Sequence, residues 1–213
     1  MLVRTRMATN PFTVSPEHTV PRAREVMETH NVRHLPVVDD GVVVGVISRG
    51  DLDKAGPSAA TTFSAGEITY LLSKLKVAKV MTRDPITVTP DTLLEQAALL
   101  MRDNKIEMLP VLEGGKLVGV ITESNILDAF IDILGFRDPG SRLTVEAIDK
   151  PGVLSHLTGI TAKYGANITH LAVYRTQLDR SIVVLGLNTL NTEEIEKDLA
   201  EADYRIVAKL QNQ

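Results

Sequence analysis

The sequence predicts a mixed α+β fold in two parts: a tandem pair of like modules related by pseudo-two-fold symmetry, then a ferredoxin-like βαββαβ unit. Three observations predict it. Residues 7–52 shifted by 74 positions fall on residues 81–126 without a gap, with identities that include Met7/Met81, Pro11/Pro85, Pro36/Pro110, Gly45/Gly119 and Ile47/Ile121. Self-similarity at a fixed offset identifies the building block, and two copies rather than an array point to a facing pair. A turn-rich stretch, Gly135-Phe136-Arg137-Asp138-Pro139-Gly140-Ser141, then ends the repeat pattern. Beyond it the apolar periodicity switches in the order strand, helix, strand, strand, helix, strand.

Each repeat opens with a short extended piece, Phe12-Thr13-Val14 or Ile86-Thr87-Val88. In repeat 1 the following helix has Thr19 at its cap and Pro21 in its first turn, where a missing N–H costs nothing. In repeat 2, Thr92 and Glu95 have the spacing of a capping box. Extended segments at 34–38 and 108–112 lead into Asp39-Asp40-Gly41 and Glu113-Gly114-Gly115, turns that close hairpins. A second strand (42–47, 116–121) completes each hairpin, and a second helix begins within 48–51 and 122–125. Between the repeats, Gly56-Pro57-Ser58 reads as a loop. Ile68, Leu71, Leu72 and Leu75 read as the apolar stripe of a connector helix.

In the last third, Leu143, Val145 and Ala147 alternate as a strand. Val153, Leu154, Leu157, Ile160 and Tyr164 space as a helix that stops at Gly165. Strands at 168–175 and 181–187, a helix starting within 191–194 with Ile195, Leu199 and Ala202 inward, and a strand at 205–210 complete the unit. The expected domains are 1–134 for the pair (repeat 1 about 7–60, connector 61–79, repeat 2 about 80–134), a linker at 135–141 and a C-terminal domain over 142–213.

Composition narrows the function classes. The chain is 44% hydrophobic but only 4% aromatic, with no tryptophan, so its core is aliphatic. A net charge of −4 argues against a nucleic-acid partner, which asks for a clustered basic face. The absence of cysteine excludes disulfides, thiol catalysis and thiolate metal sites, and fits a reducing cytoplasm. No secretory leader or membrane span is expected, because no apolar run is long enough.

Two motif pairs carry a resemblance. Leu35-Pro36-Val37-Val38 is followed by Gly45-Val46-Ile47-Ser48-Arg49-Gly50-Asp51, and Leu109-Pro110-Val111-Leu112 by Gly119-Val120-Ile121-Thr122-Glu123-Ser124-Asn125. On these, residues 7–130 resemble a tandem pair of CBS domains. Asp149-Lys150-Pro151-Gly152-Val153-Leu154, then Gly165-Ala166-Asn167-Ile168, make residues 142–213 resemble an ACT domain. The order CBS–CBS–ACT at this length resembles the acetoin-utilisation B family.

A carboxylate at a helix start can accept two hydrogen bonds from a vicinal diol such as a ribose. The CBS resemblance implies that role for Asp51, with Ser48 as the neighbouring hydroxyl. Thr122 and Asn125 are the matching pair in repeat 2, and Asn125 departs from the acidic pattern. The resemblance further implies that the Asp51 cleft is walled by Ile86, Ile106 and Met108. The Asn125 cleft borrows Phe12, with Arg33 and His34 as phosphate partners, so the ribose anchor and the phosphate anchors are expected in different clefts. The plain alternatives are a helix N-cap for Asp51 and a solvated strand edge for Arg33 and His34.

The ACT resemblance implies an amino-acid site, usually across a dimer interface, at Asp149, Gly152, Val153, Leu154, Asn167 and Ile168. Its plain alternative is a Pro-Gly turn before an apolar helix. His30 and His34 are spaced for a metal, but the second enters the Leu-Pro strand, so no metal is expected. No nucleophile, base and oxyanion donor assemble, so no enzyme is expected. The expectation is a regulatory, homodimeric sensor without a resident cofactor. It binds an adenine nucleotide or S-adenosylmethionine in the paired repeats and an amino acid in the C-terminal domain, acts on a protein target the sequence does not name, and is linked to acetoin or carbon use. The rival is a ligand-free dimerisation scaffold.

Overall fold

Each repeat folds around a β-hairpin whose turn residues are in the left-handed region: Asp40 and Gly41 at φ 45° and 82°, Gly114 and Gly115 at 57° and 81°. That geometry matches the twist of the flanking strands. The computed structural model describes residues 1–56, 64–177 and 179–212. Pro57 and Ser58 of the expected loop, and the Ile68 side chain of the expected stripe, lie outside the described residues.

The chain divides into two compact units, Met1–Ile126 and Leu127–Gln213. Repeat 1 contributes β1 (Ala8–Thr9), α1 (Val20–Thr29), β2 (His34–Asp39), β3 (Val42–Ser48) and α2 (Arg49–Lys54). After the connector helix α3 (Ala65–Lys74), repeat 2 contributes β4 (Thr82–Arg83), α4 (Leu94–Asn104), β5 (Met108–Glu113), β6 (Lys116–Thr122) and α5 (Glu123–Ile133). Val14, Val20, Ala23, Met27, Leu35, Val37, Ile47 and Leu52 form the repeat 1 core. Leu75 of the connector packs against it and Leu71 stays exposed.

The repeats exchange their leading arms. The two sheets run β2-β3-β4 and β1-β6-β5, so the short strand that opens each repeat pairs with the other repeat's hairpin, Ala8 opposite Val120 and Thr82 opposite Val46. Val77 lies in the repeat 1 core, and its N–H donates to the His18 carbonyl (2.8 Å). Val3 N–H donates to the Thr92 carbonyl (2.9 Å) in the mirrored contact. The repeated glycines make the exchange sterically open. A Cβ on Gly45 would sit 2.8 Å from the Thr82 carbonyl oxygen, and one on Gly119 2.8 Å from that of Ala8.

Two local expectations change. The pieces 12–14 and 86–88 are not strands: each forms one parallel bridge, Val14 to Val37 and Val88 to Val111. The adjacent Pro36 and Pro110 lack an N–H, so pairing cannot continue past that bridge. The Thr92–Glu95 capping box does not form either. The helix starts at Leu94, whose N–H donates to the Met1 carbonyl (2.8 Å), while Thr92 Oγ1 accepts from Thr89 N–H (3.0 Å).

The boundary falls within α5, ahead of the expected linker at 135–141, so the second unit takes in α5 from Leu127 onward and then β7 (Gly140–Ile148), α6 (Val153–Lys163), β8 (Ile168–Gln177), β9 (Arg180–Leu187), α7 (Glu193–Glu201) and β10 (Arg205–Asn212). Its antiparallel sheet has the order β10-β7-β9-β8, as a βαββαβ unit requires. Leu143, Val145, Leu157, Leu185, Leu187, Ile195 and Leu199 fill the space between sheet and helices. The turn-rich stretch before β7 is tied down: Arg142 donates to the Leu134 carbonyl (3.1 Å) and Asn212 to that of Phe136 (2.7 Å).

Candidate functional site

The end of β3 and the first turn of α2 position Asp51. Ser48 is the N-cap, and Asp51 Oδ2 accepts from Ser48 N–H (2.9 Å) and from Ser48 Oγ–H (2.7 Å). Asp51 N–H donates to Ser48 Oγ (3.1 Å), completing a capping box. Among the described residues Oδ1 has no hydrogen-bond partner. One carboxylate oxygen therefore holds the helix, and the other stays available to a ligand.

A cavity of about 740 Å³ opens beside this carboxylate, lined by residues of both repeats. Ile86, Ile106 and Met108 supply its apolar wall, and Ser48 and Asp51 its polar end. Arg33, Arg49, Lys54 and Lys105 supply cations. Lys105 is held at φ 55° where α4 ends, a conformation that costs a β-carbon-bearing residue. Sequence reasoning missed Arg49, Lys54 and Lys105; the first two follow directly from their neighbourhood to Asp51, whereas the third needs the fold.

The pseudo-symmetric cavity, about 450 Å³, is lined by Thr122, Glu123, Asn125, Arg33, His34, Glu107 and Met108, among others. Asn125 Oδ1 accepts from Thr122 N–H (3.0 Å) and Oγ1–H (2.8 Å), repeating the bonding at Asp51. Its remaining amide nitrogen is a donor only, so this cleft offers a diol no side-chain acceptor at the matching place. Phe12, expected to wall this cleft, does not line it. Its ring stacks on His30, with centroids 3.6 Å apart and planes 11° from parallel. That stack, and the 3.5 Å approach of His34 Nε2 to Glu107 Oε2, send the two histidines to different partners. Among the described residues no group of three or more His, Cys, Asp or Glu could hold a metal ion.

Arg33 and His34 line both cavities, so the expectation that ribose and phosphate anchors fall in different clefts does not match this geometry. Burial holds the His34 imidazole below its ordinary value, against the opposing pull of the Glu107 and Asp51 carboxylates, while Arg33 adds to the lowering. The ring is therefore neutral at pH 7 and keeps one donor and one acceptor.

In the second unit, Gly152 takes φ +91° at the N-cap of α6, followed by buried Val153 and exposed Leu154. Asp149, expected to meet an ammonium, is paired with Arg175 (2.6 Å). Asn167 and Ile168 lie beyond the other end of α6. Eleven residues of helix at 1.5 Å each separate the two groups by about 16 Å. The sheet agrees: Ile148 pairs with Arg180 at one end of β9 and Ile168 with Leu187 at the other. A single chain does not bring these six residues into one pocket.

Known proteins share this architecture. A family profile described as CBS domain matches residues 3–58 and 77–132, and one described as ACT domain matches residues 141–203. Over 141 residues (66% of the chain) the sequence is 34% identical to an inosine-5'-monophosphate dehydrogenase of Korarchaeum cryptofilum, a stretch that spans only 26% of that enzyme. It is 32% identical to a CBS domain-containing protein of Dictyostelium discoideum, over 63% of the chain and 94% of that protein. Among solved structures, CBSX2 in complex with AMP is 34% identical, with a TM-score of 0.51 over 62% of this chain and 97% of that one. An acetoin utilization protein (AcuB) from Vibrio cholerae is 30% identical, with a TM-score of 0.53 over 65% and 96%. The CBS domain pair of MJ0100, in complex with 5-methylthioadenosine and S-adenosyl-L-methionine, is 27% identical, with a TM-score of 0.51 over 61% and 95%.

Proposed function

This chain belongs to the CBS-domain family and carries a C-terminal ACT domain, and from that premise we propose that it is a regulatory, non-catalytic sensor of an adenosine-containing nucleotide. The observation that carries the proposal is the pairing of Asp51 with the 740 Å³ cavity. One carboxylate oxygen is spent on the helix cap and the other has no protein partner among the described residues. A ribose hydroxyl donates to that oxygen, the base packs against Ile86, Ile106 and Met108, and phosphates meet Arg33 and its neighbouring cations. The complexes of CBSX2 with AMP and of MJ0100 with two adenosine derivatives support the ligand class.

A ligand regulates only if it binds two conformations unequally. Binding across both repeats meets that requirement, because it ties together walls that move if the repeats shift. A homodimer is the expected assembly: Leu127, Phe130 and Ile133 form an exposed apolar stripe on α5. The likeness to AcuB supports a link to acetoin or carbon use. An amino-acid site at the ACT loop would need two chains, one giving the Gly152 end of α6 and the other the Asn167 end.

The capping box favours a second reading, a ligand-free scaffold in which Asp51 serves only the helix. Titration of the full chain with AMP, ATP and S-adenosylmethionine by calorimetry, alongside thermal melting, separates the two. Saturable heat and a raised melting temperature with at least one of them support the sensor; no heat and no shift with any of them support the scaffold.

A further inference from the structure

Resting on the nucleotide-sensing reading above, we propose that one chain holds a single phosphate-bearing ligand, in the larger cleft, and that the smaller cleft excludes phosphate. The two clefts are images of each other in backbone but not in charge. In the larger, Arg49 N–H donates to the Arg33 carbonyl (2.8 Å), fixing two arginines at the start of the helix that carries Asp51. In the smaller, Glu123 N–H donates to the Glu107 carbonyl (3.1 Å), so the same two positions hold carboxylates. The pseudo-two-fold operation turns a pair of cations into a pair of anions; Arg33 and Glu107 line both cavities and Asp51, Asp53 and Asp84 also line the larger, so the contrast rests on Arg49, Lys54 and Lys105 against Glu123.

The rest of the lining sharpens the contrast. Lys54 and Lys105 face only the larger cavity, and Glu123 only the smaller. Among the described residues Arg33 is the one Lys or Arg lining the smaller cavity, and it lines the larger as well, so a phosphate bound on one side takes the cation the other would need. Asn125 adds no acceptor, because its oxygen is engaged by both Thr122 donors.

The test is calorimetry on the full chain with AMP, at fixed ionic strength. The expected result is one AMP per chain. Glu123→Gln removes one charge that only the smaller cavity meets. It should strengthen a second AMP site by about fivefold, the effect of one exposed charge about 4 Å away at the dielectric of water, and leave the first unchanged. Two equivalent AMP sites in the parent, or a second AMP site indifferent to Glu123→Gln, would each overturn the inference while leaving the nucleotide-sensing reading intact. If the parent binds no AMP, both fall together.

Discussion

Replacing Asp51 with asparagine exchanges one atom. The variant keeps an oxygen to accept from Ser48 N–H and Ser48 Oγ–H, and turns the unpartnered Oδ1 into an amide nitrogen. The chain contains its own control, since Asn125 makes the same bonds with Thr122 in repeat 2 at 3.0 and 2.8 Å. The fold should therefore survive. Removing an acid from the first turn of α2 costs about 0.3–1 kcal/mol of helix–dipole stabilisation. The ligand loses more, because a charged acceptor becomes a donor facing a hydroxyl. Hydrogen bonds to charged groups contribute about 1.5–3 kcal/mol, so AMP affinity should fall by roughly 10- to 150-fold at 1.4 kcal/mol per decade. Calorimetry with AMP on parent and variant reads the affinity, and urea unfolding reads the stability. A variant that binds AMP as tightly as the parent, with the fold unchanged, would refute the assignment of Asp51 as a ribose anchor.

Gly45→Ala places a methyl against the Thr82 carbonyl oxygen at 2.8 Å; it should lose about 1–3 kcal/mol in urea unfolding, as overpacked sites do. Lys105→Asn relieves a left-handed residue of a kind asparagine tolerates better, as Asn31 at φ 52° does in repeat 1. It should gain up to about 1 kcal/mol while weakening AMP binding through the lost cation, a trade visible by melting and titration together. His34 has a folded-state value held below its ordinary 6.5, so its neutral form is favoured in the fold. Its contribution to stability is complete above pH 6.5 and is lost as pH falls through the lower, folded-state value. Chemical unfolding at pH 7.5 and at pH 5 should show a smaller acid loss in His34→Gln than in the parent; equal losses would contradict the burial argument.

The hairpins, the C-terminal βαββαβ order and the place of Asp51 were legible in the sequence, because each rests on local signals: two turn residues with positive φ, a switch of apolar period, an acid three residues after a hydroxyl. The arm exchange was not. Residues 7–9 and 81–83 carry no periodicity, and their pairing depends on Gly45 and Gly119 being stripped of side chains in the opposite repeat. The same identities that disclosed the duplication also encoded the exchange, but only the fold says which copy each glycine serves. At the clefts, aligning the repeats correctly paired Ile86 with Phe12, yet the stacking of Phe12 on His30 is a tertiary contact that breaks the symmetry. The ACT motif likewise read as one site because its residues are near each other in sequence; a rigid helix between them sets them apart.

The traded arms impose an order of events on a newborn chain. Repeat 1 has its hairpin early, but the pocket that Val77 fills stays empty until the connector and the next arm have been synthesised. The opening strand, made first, has no edge to join until Val120 appears near the end of repeat 2. Neither half can finish alone, so a nonsense mutation anywhere before that point should yield an unfinished, protease-sensitive fragment rather than a working single module.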